Sequence, residues 1–173
     1  MSLSQPHDLD DLLNYRLMRL FSVSGAPVVR LCEGRYGIAR REWRIVALLA
    51  AHGPQAPSAL AERGDLDRAR TSRAIGSLVA KKLAARVSQP GDARRAVVTL
   101  TDAGRALYDE LFPQVVALNL EVLAALEPAL VEALDQALSR LTAHAGEVNR
   151  RRALDVSADR RSGGSRRHWP GAA

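Results

Sequence analysis

The spacing of apolar residues along the chain predicts six helices and one hairpin. Leu9, Leu13, Leu17, Leu20, Val28 and Leu31 fall on one helical face, so residues 9–31 read as a long amphipathic helix. Pro27 lies inside that run and predicts a kink there, or a boundary at Ala26, because proline lacks the N–H that a helix interior needs. Gly34 and Gly37 mark a turn. A second helix is expected over 40–51, with Trp43, Val46, Ala47 and Ala50 on one face and His52-Gly53-Pro54 as its stop. Pro57 suits the first turn of a short third helix over 58–63, after which Gly64 is expected to give a sharp turn. Asp67 is the expected N-cap of a fourth helix over 68–82.

The period then changes. Residues 85–89 and 96–100 are short runs with β-forming residues, and Pro90-Gly91-Asp92-Ala93-Arg94-Arg95 between them is rich in turn formers, a hairpin signal. A lone hairpin is marginal in water, so this one must lean on the helices. Thr101 is the expected cap of a long fifth helix toward residue 125, striped by Leu107, Leu111, Val115, Leu118 and Val122. Pro113 should kink it rather than end it, since the stripe continues. Pro128 opens a sixth helix carrying Leu130, Leu134, Leu138, Leu141, Ala145 and Val148.

These elements give a mainly α fold with a small β-hairpin wing. The expected layout is an N-terminal dimerisation helix within 1–39, a winged helix-turn-helix domain over 40–104, C-terminal dimerisation helices over 105–149 and a disordered basic tail over 150–173. The dimer is expected because the first and sixth helices carry more apolar stripe than a small winged domain can cover.

Charge refines this. The net charge is +6, but residues 150–173 hold seven Arg and two Asp, so the tail accounts for most of it. A nucleic-acid surface on the body must therefore be local. Such a surface is at hand: Arg68, Arg70, Thr71, Ser72 and Arg73 open the fourth helix, and Arg94 and Arg95 sit at the hairpin tip. A helix fits the B-DNA major groove, arginine binds guanine in bidentate fashion, and a thin arginine-bearing loop suits the minor groove. Arg70 and Arg73 share one helical face, Arg68 and Ser72 another; spacing alone leaves open which pair enters the groove. The tail's arginines would add sequence-independent affinity.

Three stretches resemble the MarR family of winged-helix regulators. They are Ala56-Pro57-Ser58-Ala59-Leu60-Ala61-Glu62-Arg63, then Asp67-Arg68-Ala69-Arg70-Thr71-Ser72-Arg73-Ala74-Ile75, then Asp92-Ala93-Arg94 with Val98, Leu100-Thr101 and Gly104. The resemblance covers about residues 9–149. It implies a homodimeric repressor of transcription that reads a pseudo-palindromic double-stranded DNA operator, with Asp92 fixing Arg94 for DNA contact. It also implies release by a small aromatic or phenolic effector where the dimer helices meet the winged domain. Ser22, Ser24, Arg40, Arg41 and Trp43, with Tyr36, are the candidates there. One departure stands out: Lys81-Lys82-Leu83 replaces the family's usual Lys-Gly-Leu, so Lys82 must take a left-handed backbone or the helix must end differently.

Other classes fare worse. His7, His52, His144 and His168 are scattered, and no metal, phosphate-loop or nucleophile-elbow motif is present, so neither enzyme, metal site nor cofactor is expected. No apolar run reaches the ~20 residues of a membrane span, and no signal peptide is evident, so a cytoplasmic location is expected. Cys32 is the lone cysteine, either a small core hydrophobe or a redox sensor flanked by Arg30 and Arg35. The alternative to a regulator is a helical protein-interaction module without DNA binding.

Overall fold

The computed structural model describes residues 2–89 and 92–152, of which 88, 89 and 92–95 are described by backbone alone. They run as α1 (Leu13–Arg30), α2 (Arg40–His52), α3 (Pro57–Arg63), α4 (Arg68–Ala80), β1 (Ala84–Gln89), β2 (Asp92–Leu100), α5 (Asp102–Leu123) and α6 (Pro128–Arg152). The chain divides into two units, residues 1–123 and 124–173. The mainly α architecture with an antiparallel hairpin is the one expected.

Several boundaries differ from the expectation, each for a local reason. The predicted helix over 9–31 is interrupted. A 3-10 turn spans Leu9–Asp11, and Leu12 is extended (φ −76°, ψ 128°) before α1 begins. Asp11 is responsible: its buried carboxylate accepts the N–H groups of Ser2 (2.8 Å) and His7 (3.1 Å), drawing the leader back over the helix start. Proline does not set a boundary at Ala26. The helix passes through Pro27 to Arg30 and then widens into a π turn, Leu31–Arg35. Val28 and Leu31 pack on the core there, which offsets the hydrogen bond that Pro27 forgoes. The arginines at 150–152 extend α6 rather than beginning the tail; the rest of the tail, 153–173, lies outside the described residues.

Gly64 does not supply a left-handed turn. Its φ is −82°, and Asp65 takes the positive angle (φ 48°) instead. Glycine is required at 64 for space, since a Cβ there would sit 2.9 Å from the Leu60 carbonyl oxygen. The turn closes through Leu66 N–H to Ala61 O (2.9 Å), and Arg44 of α2 donates to Gly64 O (2.7 Å). The helix-turn-helix is thus pinned at its bend.

A single core joins α2, α3, α4, the hairpin and α5. Ile38, Ile45, Val46, Leu49, Leu60, Ile75, Leu78, Val98 and Leu111 are almost wholly buried in it. Trp43 stacks on Tyr108 of α5 at 5.8 Å between ring centres. The hairpin gains a third backbone partner that the sequence reading missed. Gln55, between α2 and α3, exchanges both hydrogen bonds with Val98 (3.0 and 2.8 Å). This bridge anchors β2 to the helices, supplying the support a lone hairpin lacks.

The α4–β1 connection explains the absent glycine at 82. The helix ends two residues earlier than predicted, Lys81 caps it, and Lys82 adopts φ 58°, the left-handed backbone its position demands. Thr101 secures the strained turn: its hydroxyl donates to Lys82 O (2.7 Å) and accepts Gly104 N–H (3.1 Å), capping α5 as expected. Its own N–H reaches Leu83 O (3.2 Å). Gly104 lets α5 approach this turn, since a Cβ there would lie 1.9 Å from Leu83 O.

Cys32 is fully buried in the core, and burial followed by the nearby Glu33 carboxylate pushes its thiol pKa up. Both effects disfavour the thiolate that oxidation requires.

Two outcomes are expected. Gly104→Ala should destabilise the fold by about 1–3 kcal/mol or more, seen as a lower urea midpoint, because the backbone must part to admit one methyl group. Cys32 should react with a water-soluble disulfide reagent far more slowly in the native protein than in denaturant, and equal rates would contradict its burial.

Candidate nucleic-acid interface

α4 begins where Asp67 accepts the Arg70 N–H (2.7 Å), a conventional N-cap. Its buried stripe is Thr71, Ala74, Ile75 and Leu78. These four fasten the helix to the body and leave Arg68, Arg70, Ser72 and Arg73 exposed. At about 100° per residue, the direction opposite the stripe is occupied by Ala69, Ser72, Arg73 and Gly76.

Thr71 is the one fourth-helix candidate that the structure removes. It is 1% exposed, and its hydroxyl donates to Asp67 O (2.9 Å). Its place three residues before Ala74 and seven before Leu78 puts it on the inward face, so it positions the helix rather than presenting itself to a ligand. The stripe also settles the relation between the two outward pairs. Arg73 and Ser72 lie nearest the centre of the open face, while Arg68 and Arg70 flank it. Arg70 leans on its own N-cap, Nε to Asp67 Oδ2 at 3.0 Å, but both groups are about half exposed. Such a pair is weak and leaves the guanidinium free to exchange partners.

Ala69 and Gly76 were passed over in the sequence because they carry no donor. Yet they sit on the outward face, and nothing lies within 4 Å of where a Gly76 Cβ would stand. Their small size keeps the backbone close to any surface the helix meets. The signal was available as the complement of the apolar stripe.

Asp92, Arg94 and Arg95 lie on β2, whose first residue pairs with Gln89 across the tip. The strand thus reaches further into the predicted loop than expected. The side chains of these three residues are outside the described set, as are Pro90 and Gly91.

The five effector candidates do not converge. A cavity of about 190 Å³ lies between α1 and α5, lined by Ser24, Gly25, Val28, Val115, Leu118, Asn119 and Val122. Only Ser24 of the five belongs to it, and its hydroxyl donates to Leu20 O (2.8 Å). Ser22 and Arg41 are exposed. The Arg40 guanidinium lies over the Phe21 ring at 4.4 Å. Trp43 is a core residue stacked on Tyr108, not a wall of this cavity. The Tyr36 hydroxyl donates to Glu110 (2.8 Å) and accepts from Gln114. The lining is thus mostly apolar, with one amide and one engaged hydroxyl.

Among the described residues, no group of three or more His, Cys, Asp or Glu side chains is placed to hold a metal ion. No single described helix is long and apolar enough to cross a membrane.

Residues 36–95, from the start of the linker before α2 to the hairpin tip, match the family model described as MarR family. No curated protein matches the chain. Solved structures do. A MarR-family transcriptional regulator from Silicibacter pomeroyi is 26% identical with a TM-score of 0.68, over 79% of this chain and 92% of that one. A probable transcriptional regulator from Pseudomonas aeruginosa is 27% identical with a TM-score of 0.67, over 78% and 99%. BpsR of Bordetella bronchiseptica, whose DNA binding is regulated by 6-hydroxynicotinic acid, is 23% identical with a TM-score of 0.70, over 80% and 98%. The matched segment holds the helix-turn-helix, and this chain is similar in fold and in that segment to winged-helix transcriptional regulators of the MarR family.

Proposed function

We propose that this protein is a homodimeric repressor that binds a pseudo-palindromic DNA site through α4 and the hairpin, and leaves it when a small molecule enters between α1 and α5. The observation that carries the reading is the division of α4. One side is fixed in the core by Thr71, Ala74, Ile75 and Leu78, and the other offers Arg68, Arg70, Ser72 and Arg73 to solvent. A helix held rigidly with arginines outward is what base readout in a major groove requires. Arg94 and Arg95, on β2 at the tip, are the second contact in this reading, with Asp92 orienting Arg94. The arginines from 150 onward supply further phosphate affinity in this reading.

Dimerisation is supported by uncovered apolar side chains. On α1, Leu17, Met18, Leu20 and Phe21 are exposed; on α6, so are Leu130, Leu134, Leu138 and Leu141. A helix whose leucines repeat on one face and stay open needs a partner. Two copies paired through these helices would present two α4 helices to successive turns of one duplex.

The effector reading rests on the cavity at Ser24 and Asn119, and on the regulation of BpsR by 6-hydroxynicotinic acid. The cavity's lining favours a small, largely apolar molecule carrying one or two polar groups. The protein is expected to act by binding alone, without catalysis.

The test is a selection of bound fragments from genomic DNA, followed by fluorescence anisotropy with the enriched duplex. Arg73→Ala should weaken binding about 5- to 150-fold, the cost of about 1–3 kcal/mol for one lost base contact. Arg94→Ala should weaken it as well. Unchanged affinity in both variants would sink the DNA reading and favour a protein-interaction module. Gly76→Ala should raise thermal stability by about 0.5–1 kcal/mol, since an alanine suits an open helix position, so any loss of DNA affinity in that variant cannot be ascribed to unfolding. Sedimentation at micromolar concentration should show a dimer.

A further inference from the structure

We propose that Glu42 and Lys81 are positioning residues for DNA recognition: their ion pair fixes the C-terminal end of α4 against α2 and so sets the angle at which the Arg70–Arg73 face meets a duplex. This rests on the DNA-binding reading above and adds to it the device that aims the helix.

The pair is built with more care than a surface contact. Glu42 is 3% exposed, at the third position of α2. Its Oε2 accepts Lys81 Nζ at 2.7 Å and the Ala39 N–H at 2.6 Å, and the Ser77 side chain hydrogen-bonds the same carboxylate. Lys81 Nζ also donates to Gly37 O at 2.8 Å. One carboxylate and one ammonium therefore join three parts of the chain. They are the start of α2, the last turn of α4 and the linker that leads from α1.

Ser77 follows Arg73 by four residues and Lys81 follows Ser77 by four, so the tethered groups continue the Arg70–Arg73 edge of α4. At the other end, the polar bonds of Asp67 stay within α4 itself. Among the described residues, the side-chain polar tether between α4 and α2 is thus at the C-terminal end. From Lys81 to Arg70 is about 16 Å along the helix axis. A tilt of a few degrees about the tether displaces the arginines by more than the ~0.5 Å that a hydrogen-bonded recognition site tolerates. Contacts to phosphate oxygens absorb such a shift far better than contacts to base edges. Loss of the tether should therefore cost discrimination between sequences before it costs affinity for DNA as such.

Only the carboxylate of this pair is buried, the Lys81 side chain being about a third exposed, and an ion pair with a buried member is a poor device for stability alone. Well-packed apolar residues often replace one at no loss, whereas fixing a register is its best-attested use. The location of this pair, at the end of the helix that carries the arginines, fits that use.

The experiment compares full-length wild type with Glu42→Gln, Lys81→Met, the double variant and Lys81→Arg. Each is titrated by anisotropy against the duplex that the wild type selects and against a scrambled duplex of the same composition, at one salt concentration. Thermal unfolding is followed in parallel. Each neutralising single substitution should weaken the selected duplex about tenfold while leaving the scrambled one within about twofold. The double variant should be no worse than the weaker single, and Lys81→Arg should retain most of the discrimination. Should a single variant fail to fold because it strands a buried charge, the double variant, which has none to strand, decides by the same criterion. Unchanged affinity for the selected duplex, or equal losses on both duplexes, overturns the proposal. A wild type that prefers no duplex overturns the DNA-binding reading itself, and does so before any substitution is made.

Discussion

The structure depends on a single demand placed on α4: one side must be immobilised while the other stays bare. Thr71, Ala74, Ile75 and Leu78 meet the first half, burying their side chains among those of α2, α3 and the hairpin. A thirteen-residue helix is marginal alone in water, so these contacts hold the helix together as well as in place. The second half follows from the period of the helix. Once four positions on one side are spent on the core, Arg68, Arg70, Ser72 and Arg73 have nowhere to go but outward. The polar alternative for Thr71, a hydroxyl aimed at a ligand, is lost by the same geometry.

What surrounds α4 can be understood as fixing its two ends. At the N-terminal end, the bend of the helix-turn-helix relies on the missing side chain of Gly64 and on Arg44 holding the Gly64 carbonyl. At the C-terminal end, Lys82 carries a left-handed backbone that glycine would adopt more cheaply. Thr101 offsets part of that cost by bonding the Lys82 carbonyl and capping α5 with one hydroxyl. Gly104 then allows α5 to close over the turn. The hairpin leaves this junction already oriented, and the Gln55 bridge to Val98 fixes it from the other side.

Most of this architecture was legible because it is periodic. The six helices, the caps at Asp67 and Thr101 and the two-stranded segment follow from local chemistry, and α2, α3 and α6 begin within a residue of their expected starts. What sequence reading missed is tertiary or compensatory. Asp11 breaks the first helix through bonds to residues as far back as Ser2, and no local pattern announces that. Pro27 reads as a stop only while the packing of Val28 and Leu31 is unknown. Gly64 reads from the sequence as a sharp turn, and the fold needs its small volume there while giving the left-handed angle to Asp65. At the candidate site, polar residue type over-selected Thr71 and ignored Ala69 and Gly76, since a list of donors does not say which face is free. The effector residues fared least well, because a cavity between α1 and α5 is a property of how two helices approach, not of either sequence alone.

The linker between α1 and α2 is where these separate demands meet. It leaves α1 through a π turn, an opening of the helix that is uncommon and is often found at functional sites. Within the next few residues Tyr36 bonds Glu110 and Gln114 on α5, Gly37 receives Lys81 from the end of α4, and Ala39 donates to Glu42. Val28 and Val115, which line the α1–α5 cavity, lie within three residues of this linker and one residue of Gln114 respectively. The cavity and the Tyr36 contacts therefore share the same two neighbouring helices, α1 and α5. Because Gly37 follows Tyr36 directly, the contacts made to α5 and to Lys81 fall on adjacent residues of one linker.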